Sequence, residues 1–169
     1  MRYAVGHSIP RKESWAKVSG RAKYTGDLPA HGTFFARLLT SPYAHARILR
    51  IDTSGAESLE GVKAVITGSD CPWLFGIMIR DRPAIALNEV RYAGEPVAMV
   101  VAVDEATAEL GVRAILVEYE PLPFVIKPSE ALAEGAVLLH PQLAAYRKVV
   151  DEVYPEAGTN IASRYRIRK

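Results

Sequence analysis

The side chains in this chain that could do chemistry are carboxylates, histidines and one thiol. Asp104 and Glu105 are adjacent, and Glu118 and Glu120 are spaced by two. Two carboxylates on one surface could divide the work of a general acid and a general base. Spacing by two puts Glu118 and Glu120 on the same face of a strand. Asp104, however, directly precedes an apolar stripe at helical spacing, where a carboxylate accepts the first N–H groups of a helix. The plainer reading is a helix cap for Asp104 and a solvated strand edge for the two glutamates. The histidines, His7, His31, His45 and His140, are scattered. Metal ligands usually arrive clustered or at helical spacing, so His45, in Ala44-His45-Ala46, reads as structural. Cys71 is the sole cysteine. It can build neither an internal disulfide nor a thiolate metal cluster, and no cationic neighbour in sequence activates it. Gly94-Glu95-Pro96 has one glycine and no following Lys-Ser, which makes it a tight turn and not a phosphate cradle.

The elements that must position these groups centre on Val90 to Pro123. Val97 to Val103 is an uninterrupted apolar run preceded by proline, and its seven residues suit a strand buried on both faces. Ala108, Val112, Ile115 and Leu116 then recur at helical spacing. Pro121 and Pro123 punctuate the segment after them, since proline has no N–H to donate. The result is a strand–helix–strand unit entered through the Gly-Glu-Pro turn. A second such unit is expected earlier. Ala46 to Asp52 alternates and reads as a strand. Ser54 caps a short helix over Gly55–Leu59, with Glu57 as its capping-box partner and Gly61 closing it. Val62 to Thr67 is the next strand.

Elsewhere the pattern is thinner. Residues 1–16 read as irregular, and Lys17 to Asp27 as a weak strand or an arm. Thr33 to Thr40 is a strand. Gly68 to Leu87 has apolar residues without period among turn formers, which predicts a long loop or small hairpins, often functional or partner-facing. Pro128 to Leu132 makes a helical turn or two, Val137 to Leu139 is extended, and Leu143 to Val153 has helical period. Ser163 to Lys169 alternates basic with apolar, as a strand wanting a partner would.

The 169 residues are 49% hydrophobic and 24% charged, with formal net charge +2. Roughly 70% of the unfolded surface can be buried at this size, so one domain with a short appended segment is expected. The charge is too balanced to argue for nucleic acid. The longest apolar run is far short of the ~20 residues a membrane helix needs. Met1 to His7 lacks the apolar core of a signal peptide, so a reducing cytoplasm is the expected compartment.

Six stretches then act together: Ala16 to Tyr24, Leu39 to Ile48 with Ser41-Pro42-Tyr43-Ala44-His45-Ala46, Gly61 to Gly68, Val90 to Ala98 with Gly94-Glu95-Pro96, Val117 to Pro123, and Gly158 to Ile161. In this order they resemble the N-terminal α/β-hammerhead domain of the molybdenum hydroxylase large subunit, the xanthine dehydrogenase and aldehyde oxidase family. The resemblance implies an α+β fold, an α/β-hammerhead whose mixed sheet carries two strand–helix–strand units. It implies an N-terminal arm over 1–27, the hammerhead over 28–157, and over 158–169 the start of a linker or strand into a cofactor-binding domain. Such enzymes hydroxylate heteroaromatic rings or aldehydes at a molybdopterin-bound molybdenum, and electrons pass to [2Fe-2S] centres and often to FAD. The glutamine beside molybdenum and the glutamate base of the family have no match here. No catalytic, metal or cofactor-binding residue is therefore expected in this chain.

The partners implied are a molybdopterin-binding domain or subunit, an iron–sulfur subunit and an FAD subunit, with self-association of the isolated chain through an exposed apolar patch. In the family, apolar residues of the loop before the Gly-Glu-Pro turn line the funnel to molybdenum, and a gap-free count back from Gly94 puts Met78 and Ile79 at the matching pair. The alternative for Trp73 to Ile79 is a plug in the domain's own core or an interface. The alternative for the whole chain is a stand-alone interaction or carrier module, although neither Lys63 nor Lys127 sits in the exposed hairpin-tip context a carrier lysine needs.

Overall fold

Pro96 and the apolar run behind it form the middle strand of a three-stranded antiparallel sheet. This is seen in a computed structural model that describes residues 5–28, 30–77, 79–148, 156, 158–164 and 166–167. Its contacts divide the chain into two units, residues 1–33 and 34–169.

The first unit holds a short helix, α1 (Ser14–Val18), and a 3-10 turn over Thr25–Asp27. Residues 5–13 are irregular as expected, but α1 begins at Ser14 within that stretch, and over 17–27 a helix end and a 3-10 turn stand where a weak strand was one of the two readings. The Asp27 carboxylate accepts the Tyr24 N–H at 3.0 Å, which curls this stretch into a turn instead of leaving it extended.

In the second unit the order is β1 (Phe35–Thr40), β2 (Ala46–Asp52), α2 (Ser54–Glu57), β3 (Val62–Thr67), β4 (Leu74–Phe75), β5 (Ile79–Arg80), β6 (Arg82–Pro83) and β7 (Glu89–Val90). Then come β8 (Pro96–Ala102), α3 (Glu105–Ala114), β9 (Leu116–Pro121), α4 (Pro128–Ala131) and β10 (Arg147–Lys148). The first sheet has the order β1-β8-β3, with Leu38 opposite Met99 and Val65 opposite Val100. The second has the order β7-β2-β9, with Ala46 opposite Val90 and Ile51 opposite Val117. Two-residue ribbons join β4 to β6 and β5 to β10. The α+β hammerhead expectation holds, but its sheet is not mixed: every strand pair among the described residues is antiparallel. The reason lies in where the two strand–helix–strand units lead. β2–α2–β3 leaves the second sheet and enters the first, and β8–α3–β9 makes the reverse crossing. A crossover within one sheet would have made parallel neighbours.

The core follows from this crossing. Val97 points to one side of β8, against Ala46, Ala86 and Val90. Ala98 and Val100 point to the other, against Ala56 and Ile115. Ile51 and Val117 touch both clusters, so β8 is buried on both faces as its composition predicts. Asp104 caps α3 as expected, its Oδ1 accepting the Thr107 N–H at 2.7 Å. The apolar face of α3 is narrower than the spacing suggests. Ala108 and Gly111 are buried, Ile115 is the C-cap with extended backbone, and Leu116 already belongs to β9 and is exposed. Gly111 is what lets α3 settle on the sheet: a Cβ there would lie 2.7 Å from Val100 Cγ1.

Other expectations shift for local reasons. Thr53, not Ser54, is the N-cap of α2, and its hydroxyl donates to Glu57 at 2.7 Å while Asp52 accepts the Ser54 N–H. Val137 to Leu139 makes no strand pair; the Asn160 side chain takes a neighbour's place. Its oxygen accepts the Leu139 N–H at 2.9 Å and its amide donates to Val137 and Ala131 carbonyls at 2.9 and 3.0 Å. The helix expected over 143–153 is replaced by a 3-10 turn at Leu143–Ala145 and by β10, which supplies a partner for β5; residues 149–155 lie outside the described residues. The expected end strand is absent at 163, 164, 166 and 167, where Arg164 folds back to bond Glu156, while Tyr165, Arg168 and Lys169 lie outside the described residues.

Candidate functional site

The stretch from Gly68 to Leu87 resolves into short ribbons, and one of them carries exposed apolar side chains. Trp73, Phe75 and Ile77 are 62%, 53% and 91% exposed, around the ribbon of β4 and β6. A two-stranded ribbon of this length is not stable by its own pairing. Apolar side chains in water do not hold it either. What fixes its base is polar.

The polar seat is built up from the Gly-Glu-Pro turn. Gly94 takes a left-handed φ of +92°. Its N–H donates to the Ser41 carbonyl at 2.8 Å, and the Ser41 N–H donates to the Glu95 carbonyl at 2.9 Å. This turn drives the Glu95 side chain inward, and the residue is only 3% exposed. Glu95 Oε2 accepts the main-chain N–H of Arg91 at 2.5 Å. Burial pushes the Glu95 carboxyl above its ordinary range, against the opposing pull of the Arg91 N–H and the Arg91 charge. The Arg91 guanidinium turns outward, its Nη1 donating to the main-chain oxygen of Asp81 at 3.3 Å and its Nε lying 3.8 Å from Glu89 Oε1. The same Glu89 oxygen lies 3.0 Å from His45 Nε2, and His45 Nδ1 is 2.5 Å from the Pro123 carbonyl. At the other end Asp81 Oδ2 is 3.0 Å from His140 Nδ1, a charge contact when the ring is protonated but not aligned as a hydrogen bond. Asp81, Arg82, Arg91, Glu95 and His140 face one open cleft of about 320 Å³.

The residues singled out from the sequence do not converge on this cleft. Met78 lies outside the described residues. Ile79 opens β5, half-buried, opposite Lys148 in the ribbon. Glu118 and Glu120 are exposed on β9, and Glu120 pairs with Arg47 across the strands. Glu105 pairs with Arg37 at 3.0 Å. Glu105 and Glu120 are committed to surface ion pairs and Asp104 to a cap, and Glu118 faces solvent. His45 is structural in that it joins three segments. Cys71 is half-buried and donates to the Thr67 carbonyl. Lys63 lies on β3, and Lys127 is the N-cap of α4 beside Glu130; neither is at a hairpin tip. Sequence reasoning missed Asp81, Arg91, Glu95 and His140. One signal was present: an acidic residue between glycine and proline at the mouth of a buried strand, four residues after an arginine.

The description "Aldehyde oxidase and xanthine dehydrogenase, a/b hammerhead domain" matches residues 19–123. The chain belongs to this family. It is 41% identical over 77% of its length to a probable xanthine dehydrogenase subunit of Bacillus subtilis, covering 18% of that protein. It is 38% identical, again over 77% of its length, to the xanthine dehydrogenase molybdenum-binding subunit of Escherichia coli O157:H7, covering 19% of it. Among solved structures, quinoline 2-oxidoreductase from Pseudomonas putida 86 superposes with a TM-score of 0.71 at 36% identity, over 82% of this chain and 19% of that one. The hammerhead chain thus spans about a fifth of the length of the curated relatives it matches.

The relatives include molybdenum-binding subunits, and a metal ion held directly by this chain would need ligands among the side chains present. Among the described residues no three His, Cys, Asp or Glu side chains converge as a metal site, and the one thiol is engaged with a carbonyl. With one thiol, the chain does not offer the cysteine set of an iron–sulfur cluster. Among them, too, no helix is long and apolar enough to cross a membrane.

Proposed function

We propose that this chain acts as the hammerhead domain of a molybdenum hydroxylase large subunit of the xanthine dehydrogenase type. In this reading it supplies no redox group. Met78 and Ile79 line the substrate path and the apolar hairpin of Trp73, Phe75 and Ile77 meets the molybdopterin-binding part of the enzyme, while other surfaces meet iron–sulfur and FAD subunits in the cytoplasm. The observation that carries the reading is the exposed hairpin of Trp73, Phe75 and Ile77 beside a polar cluster rooted in the buried Glu95. Exposed apolar groups held in a fixed position mark a contact surface. The names of the relatives, molybdenum-binding subunits and large chains, support it.

The test is assembly. The chain, purified from a molybdenum-replete host, should hold no stoichiometric molybdenum, iron or flavin and should not oxidise purines or aldehydes with a dye acceptor. Co-expressed with a molybdopterin-binding subunit of the family that lacks its own hammerhead, it should co-purify, and replacing Trp73 and Phe75 by serine should break that association. Stoichiometric molybdenum in the isolated chain, or turnover above a buffer control, would overturn the reading.

A further inference from the structure

Strand pairing in the stretch from Gly68 to Leu87 changes partner at one residue. Asp81 alone separates β5, which pairs with β10, from β6, which pairs with β4. The grip on its main-chain oxygen comes from Arg91, 3.3 Å away. Arg91 in turn is held from beneath, because its main-chain N–H bonds the Glu95 carboxylate, and Glu95 is one residue before Pro96, where β8 begins. The path from the most buried strand to the hairpin is therefore two hydrogen bonds long, Glu95 to Arg91 and Arg91 to Asp81. The guanidinium suits this link, being planar, permanently charged and able to donate in several directions. Glu89 Oε1 lies 3.8 Å from its Nε, a charge contact that leaves this buried N–H without a hydrogen-bond partner among the described residues.

We propose that Arg91 is the positioning residue of the apolar hairpin: through the main-chain oxygen of Asp81 it sets where Trp73, Phe75 and Ile77 stand. The inference rests on the reading of that hairpin as a contact surface. Arg91 acts on the contact only through Asp81. The three apolar side chains are exposed and do not themselves anchor the hairpin.

The experiment uses the full chain with Trp15→Phe, which leaves Trp73 as the only tryptophan of the two in the chain. Amide exchange and the fluorescence anisotropy decay of Trp73 are read for Arg91→Ala, Arg91→Lys and Asp81→Asn. With alanine, exchange over residues 74–83 should quicken by about tenfold or more while residues 97–102 stay protected. The fast component of the Trp73 decay should grow. Lysine, which still offers one donor to the Asp81 oxygen, should restore part of the order and carries the comparison if the alanine variant folds poorly. Asp81→Asn keeps the main-chain oxygen and loses only the charge contact with His140, so it should free the hairpin far less than Arg91→Ala.

Three results would overturn the proposal: unchanged hairpin exchange in Arg91→Ala, an equal rise in residues 97–102, or a hairpin freed as fully by Asp81→Asn. Its failure is separable from that of the contact reading. If Arg91→Ala frees the hairpin but serine at Trp73 and Phe75 leaves assembly intact, the contact reading falls and the positioning stands. If the serine variant loses assembly while Arg91→Ala leaves the hairpin rigid, the positioning falls.

Discussion

His45 stands between two acceptors, with Nε2 3.0 Å from Glu89 Oε1 and Nδ1 2.5 Å from the Pro123 carbonyl. The ring sits just before β2, Glu89 is in β7, and Pro123 lies past the end of β9. One side chain therefore ties all three strands of the second sheet near one end. The main chain agrees, since the Leu122 N–H donates to the His45 carbonyl at 3.0 Å. His45→Phe keeps a ring of similar size and removes both contacts. Glu89 is 38% exposed and regains water, so the expected loss is about 1–2 kcal/mol, mostly from the orphaned carbonyl. A urea melt with an unshifted midpoint would count against this role.

Gly111 offers a sharper test of packing. Alanine is favoured over glycine in a helix by about 1 kcal/mol. The added methyl would lie 2.7 Å from Val100 Cγ1, on a stiff, fully buried side chain. Overpacking of this kind costs about 1–3 kcal/mol, so the packing cost outweighs the helix gain. Gly111→Ala should destabilise, and Val100→Ala in the same chain should recover part of the loss. Simple additivity of the two changes in a double-mutant cycle would show that α3 and β8 do not meet there.

The pH dependence should carry the mark of Glu95. Its carboxyl is raised on folding, chiefly by burial. A raised acid contributes stability in full below the ordinary glutamate range and loses it as pH climbs through the folded value. Glu95→Gln stays neutral and keeps an oxygen for the Arg91 N–H. Its stability relative to the parent should therefore rise from about pH 4 upward. Urea midpoints of both proteins across that range decide it; a constant or shrinking difference contradicts the buried carboxylate.

Asn160 should prove irreplaceable by its closest relatives in shape. Leucine there leaves one N–H and two carbonyls without the partners that the amide supplies, at a cost of about 1–3 kcal/mol. Aspartate keeps the acceptor for Leu139 but sets an oxygen against the Val137 and Ala131 carbonyls, so it should not rescue. A stable Asn160→Asp protein with unchanged exchange at Leu139 would argue that the amide is incidental.

What could be read in advance depends on the range of the forces involved. Ala46–Asp52 and Val62–Thr67 form at their expected bounds, because their patterns are set by which side faces the core. The valine-rich β8 is shifted by one residue, since Pro96 can start a strand without needing a donor. The cap at Asp104 was legible because it is a bond between residues three apart. The seat of the hairpin was not, for Asp81, Arg91, Glu95 and His140 meet only once two sheets have formed. Asn160 likewise completes residues 21 to 29 positions away. The mixed sheet failed for a related reason: local periodicity names a strand but not the sheet it joins.

The two crossing connections also constrain how this domain is made. A nascent chain leaves the ribosome from its N-terminus. The first sheet needs residues up to Ala102 and the second needs residues up to Pro121, and their strands alternate along the chain. The first sheet has all its strands once Ala102 has emerged, but the second cannot close until Pro121 has followed. Until α3 and β9 have emerged, β2 is without its β9 partner and the side chains of β8 lack Ile115 and Val117. The nascent stretch from Val97 to Ala102 is then the segment most in need of a chaperone, and synthesis that stalls between β8 and β9 would leave it as a seed for aggregation.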